Sequence, residues 1–222
     1  MSSSETERLD AGSVLALAPV VPVLTIPDLA SAIPLASALV NGGLPVLEVT
    51  LRTPAGLDAI TAIGEAVPGA VVGAGTVRSA AEFEAAVAAG SRFVVSPGLT
   101  EGLLEAASQS SVPLIPGVAT ASELMRAREA GFDHVKFFPA EAAGGVKTLK
   151  ALGGPFPDMR FCPTGGVSLS NLADYLALKS VVTVGGTWMT PTQAVEEGDW
   201  SSIESLARDA ADKVATLKAS AG

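Results

Sequence analysis

The chain has 222 residues, 48% of them apolar and 17% charged, which supplies a large core and argues against disorder. A formal net charge of -9 argues against the clustered Lys and Arg of a nucleic-acid footprint, and no apolar run nears the ~20 residues of a membrane span. One cysteine, Cys162, rules out an internal disulfide and suggests a reducing compartment, while a lone His134 leaves little for His-rich metal sites or a Ser-His-Asp triad.

The polar stretch 1–10 lacks the basic-then-apolar pattern of a signal peptide and is expected to be a tail, disordered in part. A short helix is predicted around residues 13–18, then a first buried strand at 20–26. Pro27 and Asp28 open a helix with apolar spacing through Ile33, Leu35, Leu39 and Val40. Pro34 sits inside it, so the regular helix is expected to begin there, and Asn41-Gly42-Gly43 ends it. The unit then repeats: strand 45–51 and helix 54–66, strand 70–76 and helix 80–89 closed by Gly90, strand 92–95 and a helix opening near Thr100. A fifth strand is predicted at 112–115, followed by a helix with the capping-box pattern Thr120-Ala121-Ser122-Glu123 and a Gly131 stop. Further strands are predicted at 134–138, 159–164 and 181–185, and a last helix at 201–219.

Short Val/Ile/Phe-rich strands separated by amphipathic helices are the alternation that builds parallel sheets. Eight such units, about 25 residues each, predict a single-domain (β/α)8 TIM barrel over residues 11–222 with a short N-terminal helix, compact beside the ~250-residue norm. A doubly wound open sheet is the alternative; it would normally carry a Gly-rich dinucleotide turn after the first strand, and Thr25-Ile26-Pro27-Asp28 is not one.

Within this pattern Lys136 is out of place. It lies in Val135-Lys136-Phe137-Phe138-Pro139-Ala140-Glu141, an apolar run that reads as buried strand, whereas the other five lysines occupy helical or surface segments. A desolvated amine loses proton affinity, and the neutral form is the one that attacks carbonyls, which makes Lys136 a candidate Schiff-base nucleophile. The plainer reading is a strand-end lysine that snorkels to the surface.

Chemistry in such a barrel is built at the C-terminal strand ends. Strand alternation sends Leu47, Val49 and Leu51 to the helix side and Glu48, Thr50 and Arg52 to the interior; likewise Val135 and Phe137 face helices and Lys136 faces inward. An acid, a guanidinium and an amine then converge. They could be a buried ion network, although such networks are weak evidence for stability and perturbed groups cluster at functional sites. Two Gly pairs, Gly165-Gly166 and Gly185-Gly186, end successive strands where barrels bind phosphate, with Thr187 a further donor, although either pair alone could be an ordinary turn. An amine to condense with a ketone, a carboxylate to move protons and a guanidinium to clamp a carboxylate fit a phosphorylated keto acid cleaved through an enamine. No Asp/Glu cluster offers a hard-metal site.

The motifs Leu47-Glu48-Val49-Thr50-Leu51-Arg52, Gly73-Ala74-Gly75-Thr76-Val77, Ser96-Pro97-Gly98-Leu99-Thr100, Pro113-Leu114-Ile115-Pro116-Gly117, Lys136 through Glu141 and Phe161-Cys162-Pro163-Thr164-Gly165-Gly166 closely resemble the class I 2-keto-3-deoxy-6-phosphogluconate (KDPG) and 4-hydroxy-2-oxoglutarate (KHG) aldolase family. The resemblance spans residues 19–213. It implies a cytoplasmic, homotrimeric, cofactor-free and metal-free lyase of the Entner–Doudoroff pathway, with no nucleic-acid or membrane partner. By the same resemblance Lys136 forms the Schiff base, Glu48 is the proton acceptor and donor, Arg52 and Thr76 hold the pyruvate carboxylate, and Pro97 lines the pocket. Thr164 matches the position linked to stereochemical discrimination, and Gly165, Gly166, Gly185, Gly186 and Thr187 cradle phosphate. Two departures stand out. Thr187 replaces a frequent Ser, and Val118-Ala119-Thr120 replaces a more usual Ile-Ser-Thr.

Rival readings are an aldolase for the galactonate epimer, a phosphate-binding isomerase or epimerase using Glu48 without covalent chemistry, and a non-catalytic barrel. Cys162 is expected as a small core residue beneath Thr164, His134 as a strand-start residue, and Trp188 and Trp200 as packing.

Overall fold

The apolar runs and amphipathic spacings above place short strands on the inside of the molecule and helices on the outside. The computed structural model describes residues 9–221, so most of the expected polar tail, residues 1–8, lies outside the described residues. In order the elements are α1 Ala11–Ala16, β1 Val21–Leu24, α2 Leu29–Asn41, β2 Val46–Thr50, α3 Gly56–Ala66, β3 Val71–Gly75, α4 Ala80–Ala88, β4 Val94–Val95, α5 Glu101–Ser108, β5 Leu114–Ile115, β6 Gly117–Val118, α6 Ala121–Glu129, β7 His134–Phe137, α7 Gly145–Gly153, β8 Arg160–Pro163, α8 Leu172–Leu176, β9 Gly185–Gly186, α9 Thr192–Glu197 and α10 Trp200–Ala221. This is an α/β fold built on curled parallel sheet. Six strands form one sheet in the order β5-β4-β3-β2-β1-β9, and three form another, β6-β7-β8. Pro116 separates β5 from β6, and single parallel bridges join Phe161 to Val181 and Thr164 to Gly185.

Strand alternation sorts the core into two clusters. Leu24, Leu47, Val49, Phe137 and Phe161 face outward and pack with helix residues such as Leu35, Leu39, Ile60, Phe83 and Ile203. Val21, Val46, Phe93, Val95, Ile115 and Cys162 face inward and meet Val14 and Leu15 of α1. The N-terminal helix therefore closes the inner face from the strand-start end. Asp10 caps it by accepting from the Ser13 backbone N–H at 2.6 Å. His134 begins β7 at the same end, and its Nδ1 lies 2.8 Å from Asp133 Oδ1.

Several boundaries differ from expectation for identifiable reasons. Helix α2 begins at Leu29, ahead of Pro34, because Asp28 caps it through the Ser31 N–H, and the helix tolerates the one backbone bond the proline cannot donate. It ends at Gly42 and Gly43, the latter at φ 91°. A Cβ on Gly42 would sit 2.5 Å from Ala207 Cβ, so that glycine also lets α10 pack against α2. The strands are shorter than their apolar runs, since residues such as Val20 and Ile26 are buried without joining a ladder. Helices α7, α8 and α9 were not anticipated. The first starts behind Gly144 at φ 100°, a pair of glycines that reads as loop, and the other two have only 5 and 6 residues.

Candidate active site

Lys136 sits in the middle of β7, in register with Gly117 of β6 and Cys162 of β8. Its backbone N–H donates to Pro116 O at 2.9 Å, which fixes the strand while Val135 and Phe137 anchor the helix side. The side chain points inward and is 8% exposed. Its Nζ donates to Oε1 of Glu48 at 3.0 Å and lies 5.2 Å from the centre of the Phe138 ring.

Glu48 reaches the amine from the other sheet. It occupies the centre of β2 between Leu47 and Val49, both fully buried on the helix side, and is itself 2% exposed. Two buried ionisable groups, drawn from strands that are not neighbours, thus meet as an ion pair across the inner face. Burying both charges costs solvation, so only a short, well-made contact makes the arrangement tolerable. Gly75 makes room for it: a Cβ there would lie 2.3 Å from Glu48 Oε1 and 2.5 Å from its Cγ. Sequence reasoning named Thr76 and missed Gly75; the available signal was a glycine at the end of an apolar strand, where close approach is common.

The remaining candidates surround this pair unevenly. Arg52 lies past the end of β2, in an exposed turn, and has no hydrogen bond or ion pair among the described residues. The expected alternation therefore does not carry through to Arg52, because the strand stops at Thr50, whose hydroxyl donates to Leu24 O at 2.8 Å. Thr76 follows β3 with φ 60°, a left-handed conformation strained for a β-branched residue. Pro97 is exposed, and its carbonyl abuts Gly117, where a Cβ would be 2.3 Å from that oxygen. Thr164 is 5% exposed, bridges to Gly185, and its Oγ1 would lie 2.4 Å from a Cβ on that glycine.

Gly165 and Gly166 form a turn with φ values of 100° and 83°, a backbone that side-chain-bearing residues rarely adopt. The segment leaving β7 runs along it: Ala140 N–H donates to Thr164 O at 2.8 Å and Glu141 N–H to Gly165 O at 3.0 Å. On the far side Asn171 donates to Gly166 O at 3.1 Å and accepts from the Ser168 N–H at 2.8 Å. Gly186 is buried beneath the Trp188 ring, and Thr187 is exposed at the rim of a cavity of about 380 Å³ that Thr25, Thr53 and Thr190 also line. Trp188 and Trp200 both pack against the outer core.

Cys162 lies under this site. Burial pushes its thiol up to about 12, with the nearby Glu48 charge adding to the effect, so it stays protonated and packs as a small core residue. Among the described residues no group of three or more His, Cys, Asp or Glu could hold a metal ion, and no helix is long and apolar enough to cross a membrane.

A buried amine in contact with a buried carboxylate, beside glycine-lined turns, is equipped to form an imine with a ketone and to move protons around it. Comparison with known proteins points the same way. The aldolase family described as KDPG and KHG aldolase matches residues 11–206. The KHG/KDPG aldolase of Escherichia coli is 53% identical over 205 residues, covering 92% of this chain and 96% of that protein. The 2-dehydro-3-deoxy-phosphogluconate aldolase of Dickeya dadantii is 54% identical over 203 residues, covering 91% and 95%. The crystal structure of KDPG aldolase from Legionella pneumophila, with pyruvate captured at low pH as a covalent carbinolamine, superposes with a TM-score of 0.90 at 48% identity, covering 92% of this chain and 99% of that one.

Proposed function

The chain belongs to the KDPG and KHG aldolase family, and from that premise we propose that it is a class I, Schiff-base aldolase. It cleaves 2-dehydro-3-deoxy-6-phosphogluconate to pyruvate and D-glyceraldehyde 3-phosphate, and 4-hydroxy-2-oxoglutarate to pyruvate and glyoxylate. The observation that carries this reading is the buried contact of Lys136 Nζ with Glu48 Oε1 at 3.0 Å.

Lys136 yields a proton to Glu48 across that hydrogen bond, and the free amine attacks C2 of the keto acid. Glu48 returns its proton to the carbinolamine hydroxyl, which leaves as water to give an iminium and restores the carboxylate. Glu48, directly or through water, takes the C4 hydroxyl proton as the C3–C4 bond breaks, and the electron pair flows into the iminium to form an enamine. The aldehyde leaves as its carbonyl forms. The enamine then regains a proton at C3, and water hydrolyses the iminium to release pyruvate and the free lysine. The protein's own iminium is the electron sink throughout.

The other candidates take supporting roles. Arg52 turns from solvent to clamp the substrate carboxylate, a motion its unpaired, exposed position allows, and Thr76 completes that clamp. Pro97 lines the pocket, and Thr164 contacts the aldol carbon. Gly165, Gly166, Gly185, Gly186 and Thr187 hold the phosphate through backbone N–H groups and a hydroxyl. Residues 11–222 form one domain, in which the two sheets act as a single eight-stave (β/α)8 barrel. Support comes from β5 and β6 being one stretch interrupted at Pro116, from the bridges Phe161–Val181 and Thr164–Gly185, and from the β1–β9 pairing. The enzyme works in the cytoplasm as a homotrimer in the Entner–Doudoroff pathway.

Pyruvate release from KDPG, from its galactonate epimer and from 4-hydroxy-2-oxoglutarate, measured side by side, tests this assignment. KDPG is cleaved fastest, and replacing Thr164 narrows the gap to the epimer. No pyruvate from any of the three would defeat the proposal.

A further inference from the structure

A partly buried polar contact between α8 and the segment leaving β7 takes no part in the Lys136–Glu48 chemistry. Tyr175 of α8 is fully buried, and its hydroxyl donates to Oε1 of Glu141. Glu141 is otherwise exposed, and its stem lies along the Gly165-Gly166 turn: a Cβ on Gly166 would fall 2.5 Å from Glu141 Cγ. Asn171, four residues before Tyr175 and so on the same helix face, donates to Gly166 O at 3.1 Å. The N-cap Asn171 thus grips the turn directly, and Tyr175, one helical turn on in α8, holds the Glu141 carboxylate on the Gly145 side, where its Oε1 would be 3.1 Å from a Cβ on that glycine. Burial and the Glu141 charge together push the Tyr175 hydroxyl upward, which keeps it a donor across the physiological range.

A carboxylate beside an anion cradle is a liability, because like charges repel strongly in a partly buried site. We propose that Tyr175 is a positioning residue for the phosphate cradle, holding the Glu141 carboxylate away from the Gly165-Gly166 turn so that a phosphorylated substrate can settle there. The inference rests on the reading of that turn as the phosphate site. Without the phenol hydroxyl, the exposed Glu141 side chain is free to swing over the turn, and the penalty falls on the phosphate end of the substrate alone. The amine and carboxylate that do the chemistry are untouched.

The test is steady-state kinetics on Tyr175→Phe, Glu141→Gln and the double variant, with borohydride trapping of pyruvate on Lys136 as a readout that involves no phosphate. Tyr175→Phe raises KM for KDPG about tenfold, the size expected from losing a hydrogen bond to a charged group, and leaves kcat and the pyruvate concentration for half-maximal trapping in place. Glu141→Gln in the same background restores KM, because the repelling charge is gone. An unchanged KM in Tyr175→Phe overturns the proposal. So does a parallel rise in KM and in the pyruvate requirement, which would mark a general structural role, or a failure of Glu141→Gln to rescue. Inorganic phosphate separates the cradle itself from the role of Tyr175. If it competes with KDPG in the wild type while the variants fail as described, the cradle stands and only the role of Tyr175 falls; if it does not compete, both fall.

Discussion

At Gly75 a hydrogen stands where a methyl would strike the Glu48 carboxylate, and this absence lets the acid lie against Lys136. In Gly75→Ala the part that can yield is the flexible end of Glu48, so the fold survives and the carboxylate moves. Turnover should then fall by about 10²-fold, the lower range for losing a positioned acid–base group, while pyruvate still traps on Lys136. Unaltered turnover would mean that Glu48 works from another position. Cys162 offers a second residue-scale test. Burial raises its thiol from 9.0 to about 12, so the folded chain holds that proton more tightly than the unfolded one. Its contribution is complete below pH 9 and is lost as pH rises toward about 12. The stability advantage of the wild type over Cys162→Ala in denaturant unfolding should therefore shrink across that window; a constant difference would contradict it. The Lys136–Glu48 pair was legible in the sequence because both are polar residues at inward positions of otherwise apolar strands. Gly75 and the Tyr175–Glu141 contact were not, since they depend on close approaches between segments far apart in the chain. Arg52 lies two residues past the end of β2, where strand alternation no longer fixes which way a side chain faces.

Among the elements, caps were legible where a local pattern encodes them. Thr120 and Glu123 form the expected reciprocal box at the start of α6, with the Thr120 hydroxyl accepting from Glu123 N–H at 3.3 Å and Glu123 Oε2 accepting from Thr120 N–H at 2.9 Å. Glu123 also accepts from Ala119 N–H at 2.8 Å, and these bonds hold its carboxyl below the usual range. Because that bond uses the backbone, Ala119 in place of a serine leaves the cap intact. Thr120→Ala should cost about 1 kcal/mol in unfolding free energy, and a loss within error of zero would show that the box contributes nothing here. Helices α7 to α9 escaped sequence reading because local propensity is weak over five or six residues and a Gly-Gly start reads as loop. Yet α8, one of those missed, carries Tyr175 and is preceded by Asn171 at its N-cap.

For the whole molecule, the alternation of strands and helices and the parallel sheet were legible in the sequence, but how the strands pair, in sheets of six and three among the described residues, was not. Pairing depends on register between segments: the predicted fifth strand ends as β5 before Pro116, and β6 beyond that proline, which was not expected, belongs to the other sheet. Helix α1 unites them by burying Val14 and Leu15 among inward residues of both sheets, Val46 and Ile115 from one and Cys162 from the other. Leu15→Ala should therefore lower global stability by about 3 kcal/mol, read by chemical unfolding; a cost near zero would show that α1 lies on the fold without supporting it. The central claim remains covalent: the buried amine of Lys136, paired with Glu48, condenses with the substrate ketone. Mass spectrometry after incubation with pyruvate and borohydride, with the modified residue mapped, tests it most directly. One pyruvate-derived addition per chain, on Lys136, is expected; an unmodified chain, or an adduct on another lysine, would contradict the covalent role.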